Sequence, residues 1–221
     1  MDWQAIIDAL PSLGDGMIST LQLCAIAGLC ALLLGTLMAV TLMRAPPFWQ
    51  RVLHLYTSLT LALPLLVVIY LLYFVLPDYD ITFSSPQVGV LALTLYYAPY
   101  IAQVIRSAIE TLPRGQWEAC RVLGLSRREQ LVDVVLPQTL PQMLSPLVGL
   151  MIGLIKDSAL LSIVSVQEFM YAAKQAISAT YAPLEIYLTV ALCYWVLNSL
   201  IDWLARHIEF RMTRYRRSMP H

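Results

Sequence analysis

Charged residues are scarce in this chain, and long apolar runs are abundant. Lys, Arg, Asp and Glu make up only 13% of the 221 residues and hydrophobic residues make up 59%, against about 25% and roughly 45–50% in soluble globular proteins. Several apolar runs reach about 20 residues, the length that a helix needs to cross a bilayer. The composition therefore predicts an all-α integral membrane protein, with residues 1–221 forming a single domain.

Motifs of catalytic and metal sites are also missing. The four cysteines form no CxxC pair and no cluster with histidine, which excludes the usual patterns of a zinc site or a disulfide framework. His54, His207 and His221 are scattered, neither HExxH nor GxSxG occurs, and no Walker-type phosphate loop is present. We therefore expect no metal or cofactor bound by this chain and no ATPase site of its own.

Apolar segments long enough to span the membrane are predicted at residues 20–43, 53–76, 88–109, 142–161 and 186–206. This gives five transmembrane helices. Pro64 predicts a kink within the second segment. A less regular stretch containing Glu168, Lys174 and Glu185 is expected between the fourth and the fifth.

The net charge is zero, which gives no basic footprint for nucleic acid, but the charges are unevenly placed. Asp78, Asp80, Glu168 and Glu185 lie on one side of the predicted spans, where Lys174 is the clear basic residue. Because cytoplasmic loops hold the excess of Lys and Arg, the N-terminus is predicted outside and the C-terminus inside. The arginines on the predicted cytoplasmic side are Arg44, Arg51, Arg106, Arg114, Arg121, Arg127, Arg128, Arg206, Arg211, Arg214, Arg216 and Arg217.

A polar stretch at residues 110–141 separates the third and fourth spans. Residues 116–123 can form about two helical turns, and Gly124 suits the left-handed position after a helix. Ser126 and Glu129 have the spacing of a capping box, which predicts the start of a second helix. Two prolines are expected to end this second helix before the fourth span, Pro137 and Pro141.

Apolar residues recur within the polar stretch at three- and four-residue steps, as on half-buried helices. They are Trp117, Val122, Leu123, Leu131, Val134 and Val135. By themselves these features fit two interpretations equally: a hairpin lying along the membrane, and an element that binds a cytoplasmic partner.

The order of particular residues favours the second interpretation. Six of them follow one another as Glu118, Ala119, Cys120, Gly124, Leu136 and Pro137. This set resembles the EAA loop of ABC importer permeases, in which a second alanine usually stands at the position of Cys120. Further matches narrow the resemblance to polar amino-acid uptake permeases of the histidine, glutamine and cystine type. They are Gly115 and Gln116 before the loop glutamate, Gln138 after the proline, and the run from Lys156 to Leu160.

The resemblance extends from about Thr20 to the end of the fifth span, and it implies a type I ABC importer permease fold. In that family the loop, here at about residues 111–141, docks into a groove of a cytoplasmic ATPase dimer that binds ATP and Mg. The other implied partners are a second permease subunit (identical or homologous), an extracytoplasmic solute-binding protein and membrane lipid, at the cytoplasmic membrane of a bacterium. The implied coupling residues are Gly115, Glu118, Ala119, Cys120, Arg121, Gly124, Leu136 and Pro137.

The implied function is the import of an amino acid or an amino-acid-derived solute by alternating access. Glu118 and Arg121 are three residues apart and could pair with each other or with the ATPase. The alternative classes are the permease of a different polar solute, a membrane scaffold, and a membrane-embedded enzyme.

The solute path is expected between two permease chains. Lys156 and Asp157 place charge at membrane depth, which indicates a functional site, a self-neutralising pair or the outer interface. Gly149 and Gly153 form a GxxxG step, which permits close helix contact within one chain or between subunits. The candidate path residues are Pro64, Tyr100, Gln103, Lys156, Asp157 and Ser158.

The solute-facing spans depart from the family pattern. Residues 61–64 read Leu-Ala-Leu-Pro where relatives commonly have Arg-Gly-Thr-Pro, and Gln103 and Ser58 stand where a glutamate is common. Three explanations remain open. The solute is not an ordinary amino acid, this chain is the non-binding half of a heteromeric permease, or the missing family residues are structural and other packing compensates.

Overall fold

The computed structural model describes residues 3–213, and helices account for nearly all of them. Three arginines of the predicted basic tail, Arg214, Arg216 and Arg217, lie outside the described residues, as does His221. The α-helices are α1 (Trp3–Arg44), α2 (Pro47–Ala62), α3 (Leu65–Tyr70), α4 (Ser85–Glu110), α5 (Arg114–Val122), α6 (Arg127–Glu129), α7 (Leu136–Asp157), α8 (Phe169–Thr180) and α9 (Pro183–Thr213).

The described helices include four that are long and apolar enough to cross a membrane, and a bent helix pair brings the number of candidate spans to five. The four lie at Trp3–Arg44, Ser85–Glu110, Arg127–Val164 and Pro183–Arg211, and the bent pair runs from Pro47 to Tyr79. The predicted all-α architecture and the positions of the spans are thus confirmed, although several boundaries differ.

Helix α1 starts at Trp3, well before the predicted boundary at Thr20, and has 42 residues. At 1.5 Å per residue it is about 63 Å long, roughly twice the thickness of a bilayer core of about 30 Å. Its first turns are held by packing, because Ala9 and Leu13 are buried against Phe169 and neighbouring residues of α8 and α9. Hydropathy alone missed this extension because it depends on a tertiary contact.

The middle of α1 packs closely against α4. Ala27, Ala31, Gly35 and Ala39 recur every four residues along one buried stripe of α1. A Cβ added at Gly35 would lie only 2.7 Å from the carbonyl oxygen of Ala98. Small residues at this spacing allow two helix backbones to approach each other closely.

The second span bends far more than the predicted kink. Its two halves, Pro47–Ala62 and Leu65–Tyr79, meet at an angle of 108°. Leu63 and Pro64 are both extended, with ψ angles of 138° and 140°. A proline disfavours the helical region for the residue before it, and Pro64 also provides no N–H for the helical ladder. Together these two residues interrupt the helix.

The expectation that Pro137 and Pro141 end a helix is wrong. Arg127–Val164 forms one continuous helical span, in which a π-helical segment at Gln130–Val135 joins α6 to α7. The N–H of Leu136 donates to the carbonyl of Leu131, five residues back. We infer that this wider turn makes room for the ring of Pro137, which has no N–H to contribute. A second π-helical segment, at Leu71–Val75, similarly precedes Pro77.

The stretch expected to be less regular contains helix α8. Glu168 begins it, and its carboxylate accepts the N–H groups of Met170 at 2.9 Å and Tyr171 at 2.7 Å. The N–H of Phe169 donates to the hydroxyl of Thr20 on α1. Glutamate is not among the preferred N-cap residues, so local sequence rules did not indicate this helix start.

The stability of the protein is predicted to fall as the pH rises from about 5 to 7. Burial raises the pKa of Glu168 from 4.5 to about 7, although the N–H groups of Met170 and Tyr171 and the charge of Lys174 oppose this rise. In that window the folded protein holds a proton that the unfolded chain has released, so the free energy of unfolding decreases with pH, by about 3 kcal/mol in all.

The variant Glu168→Gln keeps an acceptor oxygen for the helix cap and removes the titration. We expect the thermal midpoint of this variant in detergent to depend less on pH than that of the wild type. The stability of the variant relative to the wild type should therefore increase from pH 5 to 8. The exposed Glu118 provides the control substitution, Glu118→Gln. Parallel midpoint-against-pH curves for the wild type and Glu168→Gln would contradict the prediction.

Candidate coupling site and solute path

One end of the bundle holds all nine arginines that the structure describes. With the bent pair between α1 and α4, helices α1, α4 and α9 run in one direction and α7 runs in the other, which brings the end of α1, the end of α4, the start of α7 and the end of α9 together. We call this the basic end. Its arginines are Arg44, Arg51, Arg106, Arg114, Arg121, Arg127, Arg128, Arg206 and Arg211.

Helix α5 lies at the basic end and stops at a well-defined turn. The N–H of Gly124 donates to the carbonyl of Arg121 at 3.1 Å, and that of Leu125 donates to Cys120 at 3.0 Å. These two bonds form a Schellman motif, which requires a left-handed residue directly after the helix. Gly124 provides it with φ +67°, as its sequence position predicted.

The predicted capping box begins the next helix. The N–H of Glu129 donates to the hydroxyl of Ser126 at 3.3 Å, and the carboxylate of Glu129 accepts the N–H of Ser126 at 2.7 Å. The reciprocal bonds start α6 two residues after the Gly124 turn, so two local motifs set the chain path between α5 and α6.

One face of α5 is buried and the opposite face is open. Cys120 is only 2% exposed, whereas Val122 and Leu123 are 87% and 72% exposed. The prediction that Val122 and Leu123 are half-buried is therefore wrong. We call the open face the coupling surface; it consists of Gly115, Glu118, Ala119, Arg121, Val122 and Leu123.

The charged side chains of the coupling surface do not pair with each other. Arg121 donates through Nε to the carbonyl of Trp117 in its own helix, at 3.4 Å. Within the described part of the chain, Glu118 has no ion pair. Its carboxylate is exposed and available to a partner.

On the side away from the coupling surface, α5 contacts α7. The amide of Gln138 donates to the side-chain oxygen of Gln116 at 3.2 Å. Trp117 borders a cavity of about 340 Å³ shared with Arg44 of α1 and Arg127 of α6. Of the predicted coupling residues, Cys120 is buried and Leu136 and Pro137 lie in the first turn of α7 rather than on the open face.

The candidate path residue Asp157 is bonded to α4. Its carboxylate accepts a hydrogen bond of 2.7 Å from the hydroxyl of Tyr97. Tyr97 is buried and packs on Gly153, where a Cβ would lie 2.9 Å from the tyrosine hydroxyl. The sequence singled out Tyr100 of α4 and missed Tyr97, because nothing local connects positions 60 residues apart.

Lys156 is exposed and has no ion pair with any residue that the structure describes. Of the alternatives for Lys156 and Asp157, the self-neutralising pair is therefore wrong.

The two glycines of the GxxxG step have different surroundings. Gly153 contacts Tyr97 of the same chain, whereas a Cβ added at Gly149 would meet no atom of this chain within 4 Å.

The remaining candidate path residues do not converge on one site. Pro64 lies at the bend of the second span, and Ser158 is buried and donates to the carbonyl of Ile155. The hydroxyl of Tyr100 donates to that of Tyr96 at 3.4 Å. Gln103 is exposed and borders two cavities at the basic end.

A bundle of apolar spanning helices with a short exposed helix at its basic end defines the class of the protein. These features are those of a multi-pass membrane protein with a short exposed helix at one end. The family model for the inner membrane component of binding-protein-dependent transport systems matches residues 31–214. The chain belongs to this family.

Proteins of known sequence support this membership. The chain is 32% identical over 199 residues to the arginine ABC transporter permease protein ArtQ of Haemophilus influenzae, with 86% of this chain and 90% of that protein covered. It is 30% identical over 216 residues to the probable glutamine ABC transporter permease protein GlnM of Bacillus subtilis, with 97% and 99% covered. The chain is therefore a membrane-spanning permease subunit of an ABC importer, a transport component rather than an enzyme.

Solved structures share the fold. A crystal structure of an amino acid ABC transporter with histidines matches with a TM-score of 0.89 and 28% identity, over 96% of this chain and 99% of that chain. An inward-facing structure of the MetNI methionine ABC transporter matches with a TM-score of 0.77 and 20% identity, over 91% and 96% of the two chains. The predicted ABC importer permease fold is confirmed.

Proposed function

We propose that this permease imports an amino acid or an amino-acid-derived solute into a bacterial cell by alternating access. The support comes from relatives that are named for arginine and glutamine and from a similar structure of an amino acid transporter. The basic end would face the cytoplasm, because cytoplasmic segments of membrane proteins hold the excess of Lys and Arg. The N-terminus would then lie outside and the chain would be a multi-pass protein of the cytoplasmic membrane.

The observation that carries this proposal is the coupling surface of α5. Val122 and Leu123 are the most exposed apolar residues of the described basic end. Exposed apolar side chains next to charged ones are typical of a protein contact site. The partner would be the cytoplasmic ATPase dimer, which would bind ATP and Mg, while this chain contributes the docking helix.

Two further partners complete the proposed importer. A second permease, identical or homologous, would pack on this one, and the open face of α7 at Gly149 is a candidate contact. A solute-binding protein would deliver the solute at the end opposite to the basic end, near Lys156 and Asp157. The alternative proposal is that this chain is the non-binding half of a heteromeric permease, which is one of the three explanations given above for Gln103.

The Gly124 turn provides the experiment. The variant Gly124→Val is expected to reduce ATP-driven uptake about tenfold, because a β-branched residue at positive φ is strained by about 1–3 kcal/mol and would change the angle of α5. Gly124→Asn is the matched control, since asparagine tolerates the left-handed region. No atom lies within 4 Å of a Cβ added at Gly124, so backbone conformation rather than crowding decides the outcome.

Uptake of a radiolabelled amino-acid mixture is measured in proteoliposomes that contain the permease, its ATPase and its binding protein. Co-purification of the ATPase is measured in parallel. Equal uptake by the Val and Asn variants would show that the turn does not set coupling. ATP-independent uptake by the wild type, or none of the mixture, would contradict the proposed function itself.

A further inference from the structure

The cavity that Trp117 borders at the basic end is lined by two arginines from distant parts of the chain. Arg44 comes from the end of α1 and Arg127 from the start of α6. We call this volume of about 340 Å³ the Arg44–Arg127 cavity; ligand pockets start at about 300 Å³. None of the described residues that line it is acidic. They are Arg44, Trp117, Arg127, Gln130, Leu131 and Val135.

The two arginines of this cavity are not neutralised by the described part of the chain. Arg44 and Arg127 make no ion pair with any residue in it. The acid nearest to Arg127 in sequence, Glu129, does not line the cavity, and its carboxylate accepts the N–H of Ser126. Two unpaired guanidinium groups beside one cavity favour an anion, and the planar fork of N–H donors of arginine matches the oxygens of a phosphate.

The rest of the lining combines apolar surface with a hydrogen-bond acceptor. Trp117 is half-buried and Leu131 is exposed, and tryptophan is enriched at the level of lipid headgroups because its ring is apolar and its N–H polar. The amide of Gln130 donates to the carbonyl of Leu125 at 2.7 Å, which leaves its side-chain oxygen as an acceptor. A phosphate attached to an apolar group with free hydroxyls suits this lining better than a small inorganic anion.

An exposed apolar stripe of α1 leads to Arg44. Leu33, Leu37, Val40 and Arg44 follow one another at steps of four, three and four residues, which places them on one face of the helix. The three apolar side chains of this stripe are exposed. The distance along the helix from Leu33 to Arg44 is about 16 Å, close to half of a bilayer core of about 30 Å. The stripe thus has the length of one lipid leaflet and ends at the Arg44–Arg127 cavity.

We propose that the Arg44–Arg127 cavity binds the headgroup of an anionic phospholipid from the leaflet at the basic end. Arg44 and Arg127 bind the phosphate, Trp117 packs against the glycerol region, and an acyl chain lies along the apolar stripe of α1. Basic pockets between membrane helices bind anionic headgroups in this way. Because Trp117 belongs to α5, the lipid contacts the coupling helix on the side away from the coupling surface.

The test measures binding of phosphatidylglycerol to the purified permease in detergent by native mass spectrometry, with phosphatidylethanolamine of the same chain length as the lipid without net charge. The double variant Arg44→Gln with Arg127→Gln is expected to weaken phosphatidylglycerol binding at least about tenfold and to leave phosphatidylethanolamine binding unchanged. Arg51→Gln with Arg128→Gln is the matched control. It removes the same charge from two exposed arginines that do not line the cavity, and it should keep the affinity of the wild type.

Thermal melting separates lipid binding from folding. Both double variants should melt like the wild type in lipid-free detergent, because all four arginines are exposed. Added phosphatidylglycerol should raise the midpoint of the wild type and of the control, but not that of the cavity variant. Equal losses of affinity in the two double variants, or a wild type that binds both lipids equally, would overturn the inference.

A second variant keeps both arginines in place. Leu131→Glu puts a carboxylate into the lining of the cavity, and we expect it to weaken phosphatidylglycerol binding more than Leu131→Gln does, because like charges repel. Equal binding by the Glu and Gln variants would contradict an anionic headgroup at this position.

Inorganic phosphate distinguishes a lipid headgroup from a soluble phosphate anion. Millimolar phosphate should not displace phosphatidylglycerol from the wild type, because it has no apolar part to contact Trp117, Leu131 and the stripe of α1. Displacement of the lipid by millimolar phosphate would show that the cavity takes a soluble anion, and it would overturn the assignment to a phospholipid.

Discussion

Replacing Val122 and Leu123 together by aspartate is expected to reduce ATP-driven uptake about 100-fold and to release the ATPase from the purified complex. The two side chains are 87% and 72% exposed. Burying each of them against a partner would contribute about 1.5–3 kcal/mol. A carboxylate in the same place would need to be desolvated without a partner, so the double variant should weaken docking by at least about 3 kcal/mol.

The fold should tolerate this double substitution, because the two side chains make few contacts within the chain. The thermal midpoint of the purified permease is therefore expected to stay within a few degrees of the wild type. Ile208→Asp is the control, since Ile208 is 50% exposed at the basic end of α9 but lies outside the coupling surface. If the ATPase remains bound to the double variant and uptake persists, α5 is not the docking element.

Gly35→Ala is expected to destabilise the permease by about 2–3 kcal/mol, through overpacking between α1 and α4. The added Cβ would lie 2.7 Å from the carbonyl oxygen of Ala98 and 2.8 Å from the Cβ of Ile101. A backbone carbonyl within a buried helix cannot move aside as a flexible side chain can, so the two helices must separate. Ala31 and Ala39, which are fully buried on the same stripe of α1, would lose contact as well.

Gly14→Ala, at an exposed position of the same helix α1, provides the matched control for Gly35→Ala. It makes the same chemical change within a helix, but no atom lies within 4 Å of the added Cβ. Alanine is favoured over glycine in helices by about 1 kcal/mol, so this variant should melt at the same or a higher temperature. Equal midpoints of the two variants in detergent would contradict the close approach of α1 and α4.

The features that the sequence predicted well are local ones. Hydropathy found the spans because membrane helices need a continuous apolar run. The Gly124 turn and the Ser126–Glu129 capping box were predicted because all of their hydrogen bonds lie within a few residues. The sequence therefore predicted α5 and its C-terminal turn closely.

The features that could not be predicted from the sequence depend on contacts between distant segments. The early start of α1 depends on packing against α8, and Tyr97 meets Asp157 from another helix. Glu168 caps α8 from a buried position that a polar residue seldom occupies. The exposure of Val122 and Leu123 was mispredicted for a different reason. An apolar pattern predicts that a face is buried, and it does not reveal whether the covering surface belongs to the same chain.

The π-helical segment at Gln130–Val135 fixes the angular phase between the two ends of the long span. A π turn is equivalent to one residue inserted into an α-helix, and each residue rotates the following chain by about 100°. Gly153 and Asp157, which contact Tyr97, both lie after this segment, so loss of the extra residue would rotate them by about 100° relative to the start of the span. The π turn next to Pro137 thus sets which side of α7 faces α4 at the Tyr97 contacts, about 30 Å further along the helix.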